Sequence, residues 1–163
     1  MKKFCVIGNP IDHSLSPKLH NFWLKRNKIK AIYEKKLLEE KEIPKLIESI
    51  RKSEINGVNV TVPFKNSVIP FLDNLSSEAK KTNSVNTICT EDDKIIGHNT
   101  DIVGFQKALN ELNYKVKDKK IKKSTRKRNI DLQSYKIIFI LKDVDPKDPT
   151  EELSSILSRS EER

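Results

Sequence analysis

Short apolar, β-rich runs alternate with segments of helical periodicity over most of the chain. The run at 4–7 ends at a Gly-Asn-Pro turn, and Ser16 followed by Pro17 predicts a helix that begins with Ser16 as its N-cap. Apolar residues recur with helical spacing over 43–50, and the segment 85–96 predicts a β-hairpin around an acidic turn. This alternation is typical of βαβ units. It predicts an α/β three-layer sandwich, with a mainly parallel twisted sheet flanked by helices.

The stretch GVNVTVPFK, residues 57–65, is the most informative of the β-rich runs. Its three valines alternate with Asn59 and Thr61, so we predict a strand with an apolar face of valines and a polar face. Pro63 has no amide to donate, and the strand should end there. Lys65 then follows the carboxyl end of the strand, where open α/β sheets bind ligands. An amide, a hydroxyl and an ammonium suit a polyol or carboxylate ligand; an edge strand with a solvated polar face is the simpler alternative.

The net charge of +9 is concentrated in residues 115–128, which hold nine Lys or Arg residues against one Asp. The segment has no interleaved aromatic residues and matches no nucleic-acid-binding module. These features favour a solvated charge run over a nucleic-acid interface, and no nucleic-acid partner is expected. Because apolar periodicity also ends near Tyr114, we predict one folded domain over 1–114 and a poorly structured basic tail over 115–163.

Cysteine and histidine usage indicates neither a disulfide framework nor a metal motif. Cys5 and Cys89 lie in apolar, strand-like runs without a CxxC pattern, as expected for buried thiols in a reducing compartment. His13, His20 and His98 lie on separate predicted elements without metal-ligand spacing, so no metal is expected. The first apolar run is too short for a signal peptide, and no run approaches the roughly 18 apolar residues of a membrane span. The sequence therefore predicts a cytoplasmic protein without a membrane partner.

Four segments occur in order between residues 4 and 114: IGNPIDHSLSPKLHN, GVNVTVPFK, SVNTI and GHNTDIVGF. Together they resemble the substrate-binding domain of shikimate dehydrogenase. The resemblance implies that shikimate or 3-dehydroshikimate is the small-molecule substrate, and it leaves a monomer and a homodimer equally open. It also implies that the hydroxyls and the carboxylate of the substrate are held by a set of polar side chains: Ser14, Ser16, Asn59, Thr61, Lys65, Asn86 and Asp101.

Within that set the resemblance implies that Ser14 and Ser16 take the carboxylate, and that Lys65 and Asp101 are the catalytic pair. Oxidation of shikimate removes a hydride and a hydroxyl proton, and reduction of the ketone returns both. An amine at Lys65 suits relay of that proton, and its ammonium form polarises the ketone. Asp101, at a predicted helix N-terminus, is expected to stay ionised and to orient Lys65.

The resemblance implies NADP as cofactor, because the family reduces 3-dehydroshikimate with NADPH on the route to chorismate and the aromatic amino acids. The family binds NADP with a glycine-rich turn in a second domain. Here no glycine follows Gly104, and no GxGxxG-type turn is present. We therefore expect no turnover by this chain alone.

Three explanations follow from this departure. The chain is a shikimate dehydrogenase cut short, as a fragment or by a reading-frame slip in a Lys-rich stretch. Alternatively, it is a stand-alone shikimate-binding or regulatory protein without catalysis. The third alternative, a nucleic-acid binder that uses residues 115–128, is the least favoured.

Overall fold

A computed structural model describes residues 1–111, with side chains described through Ala108. The predicted tail, residues 115–163, lies outside the described residues. The six strands are β1 Lys2–Gly8, β2 Ala31–Leu37, β3 Gly57–Val60, β4 Asn74–Leu75, β5 Thr87–Glu91 and β6 Lys94–His98. The four helices are α1 Ser16–Arg26, α2 Ile43–Arg51, α3 Ser77–Thr82 and α4 Asp101–Glu111, and short 3-10 turns cover Glu40–Glu42 and Ile69–Phe71. Within this part of the chain, no helix is long and apolar enough to cross a membrane.

The strands form one mixed sheet in the order β2-β1-β3-β5-β6-β4. β1 runs parallel to both β2 and β3, and β4 runs parallel to β6. β5 is antiparallel to β3 and to β6, which confirms the predicted hairpin. Parallel pairs predominate, and the predicted α/β class is confirmed. Because β5 reverses direction, the start of β5 and the ends of β1, β3 and β6 meet at one edge of the sheet.

The sheet buries both of its faces near β1, because alternate residues of that strand point to opposite sides. On one side Ile7 packs in a cluster with Val58 of β3 and with the apolar face of α2, which is Ile43, Leu46, Ile47 and Ile50. On the other side Val6 packs with Leu24 of α1 and Tyr33 of β2. Helices therefore cover the two faces of the sheet, and the helical periodicity predicted over 43–50 is confirmed.

Two local predictions were wrong, each by a small shift in where an element begins or ends. Leu15 occupies the N-cap position of α1 with helical dihedral angles, so Ser16 is the first helical residue and does not cap the helix. β3 ends at Val60, because the chain turns at Thr61, where the carbonyl accepts a hydrogen bond from the Phe64 amide at 3.0 Å. Val62 consequently lies in the turn with 68% of its surface exposed and does not share the buried face of the strand.

The outer edge of the sheet at β2 is covered by a side chain of α1. Oδ1 of Asn21 accepts a hydrogen bond from the Tyr33 amide at 2.9 Å, and Nδ2 of Asn21 donates to the Tyr33 carbonyl at 2.7 Å. One amide side chain therefore forms both hydrogen bonds that a neighbouring strand would form at that residue.

α1 also buries His20, which is 5% exposed and stacks face to face on the Tyr33 ring with centroids 4.0 Å apart. Burial lowers the pKa of His20 to about 4, because the charged imidazolium loses its hydration there. The folded protein consequently resists protonation of this ring.

This burial predicts an acid-sensitive stability. As the pH falls below about 6.5, His20 takes up a proton in the unfolded chain before it does so in the folded chain, so the free energy of unfolding should decrease until the pH reaches about 4. The loss attributable to His20 should be about 2–3 kcal/mol between about pH 7 and about pH 4.5. His20→Phe keeps a stacked ring without a titrating group and should remove that part of the decrease. Urea unfolding over this pH range measures it, with the exposed His13→Gln as the control, and equal pH slopes for His20→Phe and the unmodified chain would contradict the prediction.

Candidate functional site

Lys65 and Asp101 form a close ion pair at the sheet edge where β3 ends and α4 begins. Nζ of Lys65 donates to Oδ2 of Asp101 at 2.5 Å, and the two side chains are 22% and 31% exposed. Asp101 lies in the first turn of α4, where the helix dipole favours a negative charge. Within residues 1–111, the hydrogen bonds of Nζ leave two of its three ammonium protons unused. The pair is thus held in place and still accessible to a small molecule.

The turn that carries Lys65 is fixed by buried apolar residues on each side of it. Phe64 is 3% exposed and Val68 is fully buried, and the Val68 amide donates to the Phe64 carbonyl at 3.1 Å. The carbonyl of Lys65 accepts from the Val85 amide at 2.8 Å, just before β5. The backbone of Lys65 is therefore anchored to the core and to the neighbouring strand.

Asn86 connects this pair to the hairpin and is 2% exposed. Its Nδ2 donates to Oδ1 of Asp101 at 2.8 Å and to Oγ1 of Thr100 at 2.9 Å. Its Oδ1 accepts from the Thr100 amide at 3.0 Å and from Oγ1 of Thr87 at 3.1 Å. Both donors and both lone pairs of the amide are thereby used inside the protein. Asn86 orients the carboxylate of Asp101, whose second oxygen faces Lys65.

Asn59 of β3 extends the same network toward β2. Its Oδ1 accepts from the Tyr33 hydroxyl at 2.7 Å, and its Nδ2 donates to Oγ1 of Thr87 at 3.1 Å. Burial raises the pKa of Tyr33, so the hydroxyl keeps its proton and acts as the donor. The structure thus joins four of the predicted site residues, Asn59, Lys65, Asn86 and Asp101, in one chain of hydrogen bonds.

Of the remaining predicted residues, Ser14 lies in the loop after β1, Ser16 is the first residue of α1, and Thr61 follows the end of β3. The Thr61 amide donates to the Ile7 carbonyl at 3.0 Å, which joins the ends of β3 and β1. A Cβ at Gly8 would lie only 2.6 Å from Cγ2 of Thr61, so this close approach requires glycine. Oγ of Ser14 accepts from the Ser16 amide at 3.4 Å. Within residues 1–111, no hydrogen bond joins these three hydroxyls to the Lys65–Asp101 pair.

Residues 6–88 match the sequence profile of a family described as the shikimate dehydrogenase substrate binding domain. This match covers half of the chain. The chain belongs to the shikimate dehydrogenase family.

Relatives and solved structures agree with that membership. The shikimate dehydrogenase (NADP(+)) of Pelagibacter ubique is 60% identical over 119 residues, which are 73% of this chain and 45% of the relative. Its counterpart in Clostridium beijerinckii is 46% identical over 118 residues, or 72% of this chain and 44% of the relative. The chain thus spans less than half the length of these two shikimate dehydrogenases.

Two solved shikimate dehydrogenases superpose on the same part of the chain. The enzyme of Thermus thermophilus in complex with shikimate has a TM-score of 0.64 at 35% identity. The match covers 68% of this chain and 42% of the Thermus chain. A shikimate dehydrogenase in complex with NADP+ has a TM-score of 0.68 at 36% identity. The match covers 73% of this chain and 42% of the chain of that enzyme. The fold of residues 1–111 is therefore that of the substrate-binding half of the family.

Three glycines of this family member, Gly8, Gly57 and Gly97, do not fit the role of a phosphate cradle for a dinucleotide. A phosphate cradle needs glycines whose backbone is open to the ligand. A Cβ at Gly8 or Gly97 would instead meet packed side chains, Thr61 Cγ2 at 2.6 Å and Leu72 Cδ1 at 2.5 Å, and at Gly57 it would meet Phe4 Cδ1 at 3.1 Å. These glycines serve internal packing. None of these three glycines therefore offers NADP a phosphate cradle.

The sequence 99–101, Asn-Thr-Asp, predicts the cap of a helix, and the side chain of Asn99 does accept from the amides of Asp101 and Ile102 at 3.1 and 3.4 Å. Sequence reasoning did not assign Thr87 and Thr100 to the network around Asn86. One signal was present, since Asn-Thr occurs in both the SVNTI and the GHNTD segments. For Tyr33 there was no comparable signal, because its role depends on the distance between two strands that are far apart in the sequence.

Proposed function

We propose that this chain binds shikimate or 3-dehydroshikimate at the sheet edge formed by the Ser14 loop, the turn after β3 and the start of α4. The observation that carries the proposal is the Lys65–Asp101 ion pair, partly exposed and oriented by a buried asparagine. The domain is proposed to extend to residue 114, with residues 115–163 as a tail outside it. Relatives named as shikimate dehydrogenases, and one solved with shikimate bound, support this substrate class.

The proposed contacts follow from which polar groups retain bonding capacity. Lys65 has two unused ammonium protons, and three hydroxyl residues lie nearby along the chain: Ser14 before α1, Ser16 at its start and Thr61 after β3. The two serines are proposed to hold the carboxylate, with Thr61 on a ring hydroxyl. Asn86 uses both donors and both lone pairs internally, so a substrate hydroxyl that bonds to its amide replaces an internal partner. Oδ1 of Asn59 accepts one hydrogen bond, from Tyr33, and keeps a lone pair for a substrate hydroxyl.

The proposed chemistry of Lys65 is proton transfer at the ketone oxygen. In the reducing direction the Lys65 ammonium donates a proton to the carbonyl oxygen as it gains charge; in the oxidising direction the neutral amine accepts the hydroxyl proton. Asp101 holds the amine in position through Oδ2 and is itself held by Asn86 through Oδ1. The hydride would have to come from a dinucleotide domain of the kind the family uses.

A non-catalytic shikimate-binding or regulatory role is the second candidate. It is favoured by one observation, the closed packing around Gly8, Gly57 and Gly97, which offers a dinucleotide no cradle at these residues. Both candidates predict substrate binding, and they differ only in whether a cofactor domain completes the reaction.

Calorimetric titration of the 163-residue chain tests the proposal. Shikimate should bind saturably at one site, whereas benzoate, a ring carboxylate without hydroxyls, should bind far more weakly. NADP+ should release no binding heat, and a mixture of chain, shikimate and NADP+ should form no NADPH. Absence of shikimate binding would overturn the proposed function, and formation of NADPH would overturn the expectation that the chain is inactive alone.

A further inference from the structure

Three side chains of metal-ligating type meet on the β5–β6 hairpin, apart from the Lys65–Asp101 pair. Cys89 and Glu91 lie two residues apart on β5 and share a face of the sheet, and His98 lies at the end of β6 on the paired strand. Sγ of Cys89 is 3.5 Å from Oε1 of Glu91, and Nε2 of His98 is 3.1 Å from the same oxygen. One ligand atom from each residue lies within 4.8 Å of the other two.

The two separations from the Glu91 oxygen are close to the spacing of ligands around a tetrahedral zinc ion. Zinc bonds of about 2.3 Å to sulfur and about 2.0–2.2 Å to nitrogen or oxygen place neighbouring ligand atoms about 3.4–3.6 Å apart. The two separations from the Glu91 oxygen fall within about 0.3 Å of that range. The third separation, between Sγ of Cys89 and Nε2 of His98, is at most 4.8 Å, and the paired strands hold the two backbones in register.

The Nε2 atom of His98 is a second observation that points to a ligand at this cluster. Its Nε2 is sealed from solvent, and within residues 1–111 it has no hydrogen-bond partner, although the Glu91 oxygen is close. The two atoms are near each other without the alignment of a hydrogen bond. A buried ring nitrogen without a partner is costly. A metal ion between the three side chains gives this nitrogen the partner that it lacks.

We propose that Cys89, Glu91 and His98 form a zinc site. A thiolate, an imidazole and a carboxylate are a ligand set that zinc accepts, and the two negative charges balance the ion. Binding releases the thiol proton of Cys89 to solvent, and three protein ligands leave a fourth position for water. The site is linked to the substrate edge through the backbone, because the His98 carbonyl accepts from the Asn86 amide at 2.9 Å.

Cobalt substitution tests the sulfur ligand directly. Titration of the 163-residue chain with Co²⁺ should produce a thiolate-to-cobalt charge-transfer band that Zn²⁺ then displaces. Cys89→Ser should abolish the band. The chain has two cysteines, so Cys5→Ala, at a buried core position, is the matched control and should leave the band unchanged. Absence of a band, or a band that persists in Cys89→Ser, would overturn the proposal.

Thermal unfolding tests the other two ligands and does not depend on shikimate binding. Zinc at about a hundredfold excess over its Kd should raise the Tm of the unmodified chain by about 5–10 °C. Glu91→Gln and His98→Gln should each reduce the Co²⁺ affinity at least tenfold and suppress the rise in Tm, whereas His13→Gln should retain both. Full retention of affinity in the Glu91 and His98 variants would contradict the assigned ligand set.

Discussion

Lys65→Ala is expected to weaken shikimate binding by about 10- to 100-fold, since a hydrogen bond to a charged group contributes about 1.5–3 kcal/mol. The substitution removes the two ammonium protons that are available to the ligand. It also leaves the Asp101 carboxylate without its partner at 2.5 Å, facing an anionic ligand. Both effects reduce affinity, and calorimetric titration with shikimate measures their sum.

Lys107→Ala is the matched control for that experiment, because Lys107 is an exposed lysine on the same helix as Asp101. It removes the same charge from the chain and should leave the Kd unchanged. Urea unfolding of both variants should show that the fold is retained, since Lys65 is partly exposed. An unchanged affinity in a folded Lys65→Ala chain would remove Lys65 from the proposed site.

Asn86→Ala is expected to lower the free energy of unfolding by about 3–5 kcal/mol, because several buried partners lose their hydrogen bonds together. The Thr100 amide and the Thr87 hydroxyl lose their acceptor, and Asp101 loses the donor that orients Oδ1. The side chain is 2% exposed, so water replaces these bonds poorly. Urea denaturation measures the loss.

Two further variants separate the causes of that loss. Asn27→Ala removes an exposed asparagine whose Nδ2 donates to the Trp23 carbonyl at 2.9 Å, and it should cost at most about 1 kcal/mol. Asn86→Asp keeps the side-chain volume but places a second carboxylate beside Asp101. If the hydrogen bonds dominate, Asn86→Asp should be about as unstable as Asn86→Ala. If the free energy of unfolding of Asn86→Ala is close to that of the unmodified chain, the hydrogen bonds of Asn86 contribute little to stability.

The sequence predicted the fold well wherever one segment determines its own environment. The helical spacing over 43–50 depends only on which residues face inward, and all four of its apolar residues are buried in α2. The position of Val62 was predicted wrongly, because alternation alone does not show where a strand ends. The hydrogen bond from the Phe64 amide to the Thr61 carbonyl closes a turn at 61–64. The strand therefore ends before the chain reaches Pro63.

The hairpin of β5 and β6 was predicted, but pairings between strands far apart in the sequence, and the contacts across any strand pair, were beyond sequence reasoning. Most of the site depends on these contacts. Asn59 and Asn86 were predicted as substrate ligands, but whether their amides are already occupied depends on β5 lying beside β3 in one register. The cluster of Cys89, Glu91 and His98 shows the same limitation. Spacing along the chain gave no metal motif, whereas the hairpin brings the three side chains together across two strands.

The amide of Asn21 has a consequence for association between molecules. Unpaired backbone groups on an outer strand are templates on which another chain adds its own strand. At Tyr33 both groups are already bonded to Asn21, so an incoming strand would have to displace two hydrogen bonds before it gained any. A single polar residue on a helix thus opposes edge-to-edge pairing at Tyr33 of the outer strand.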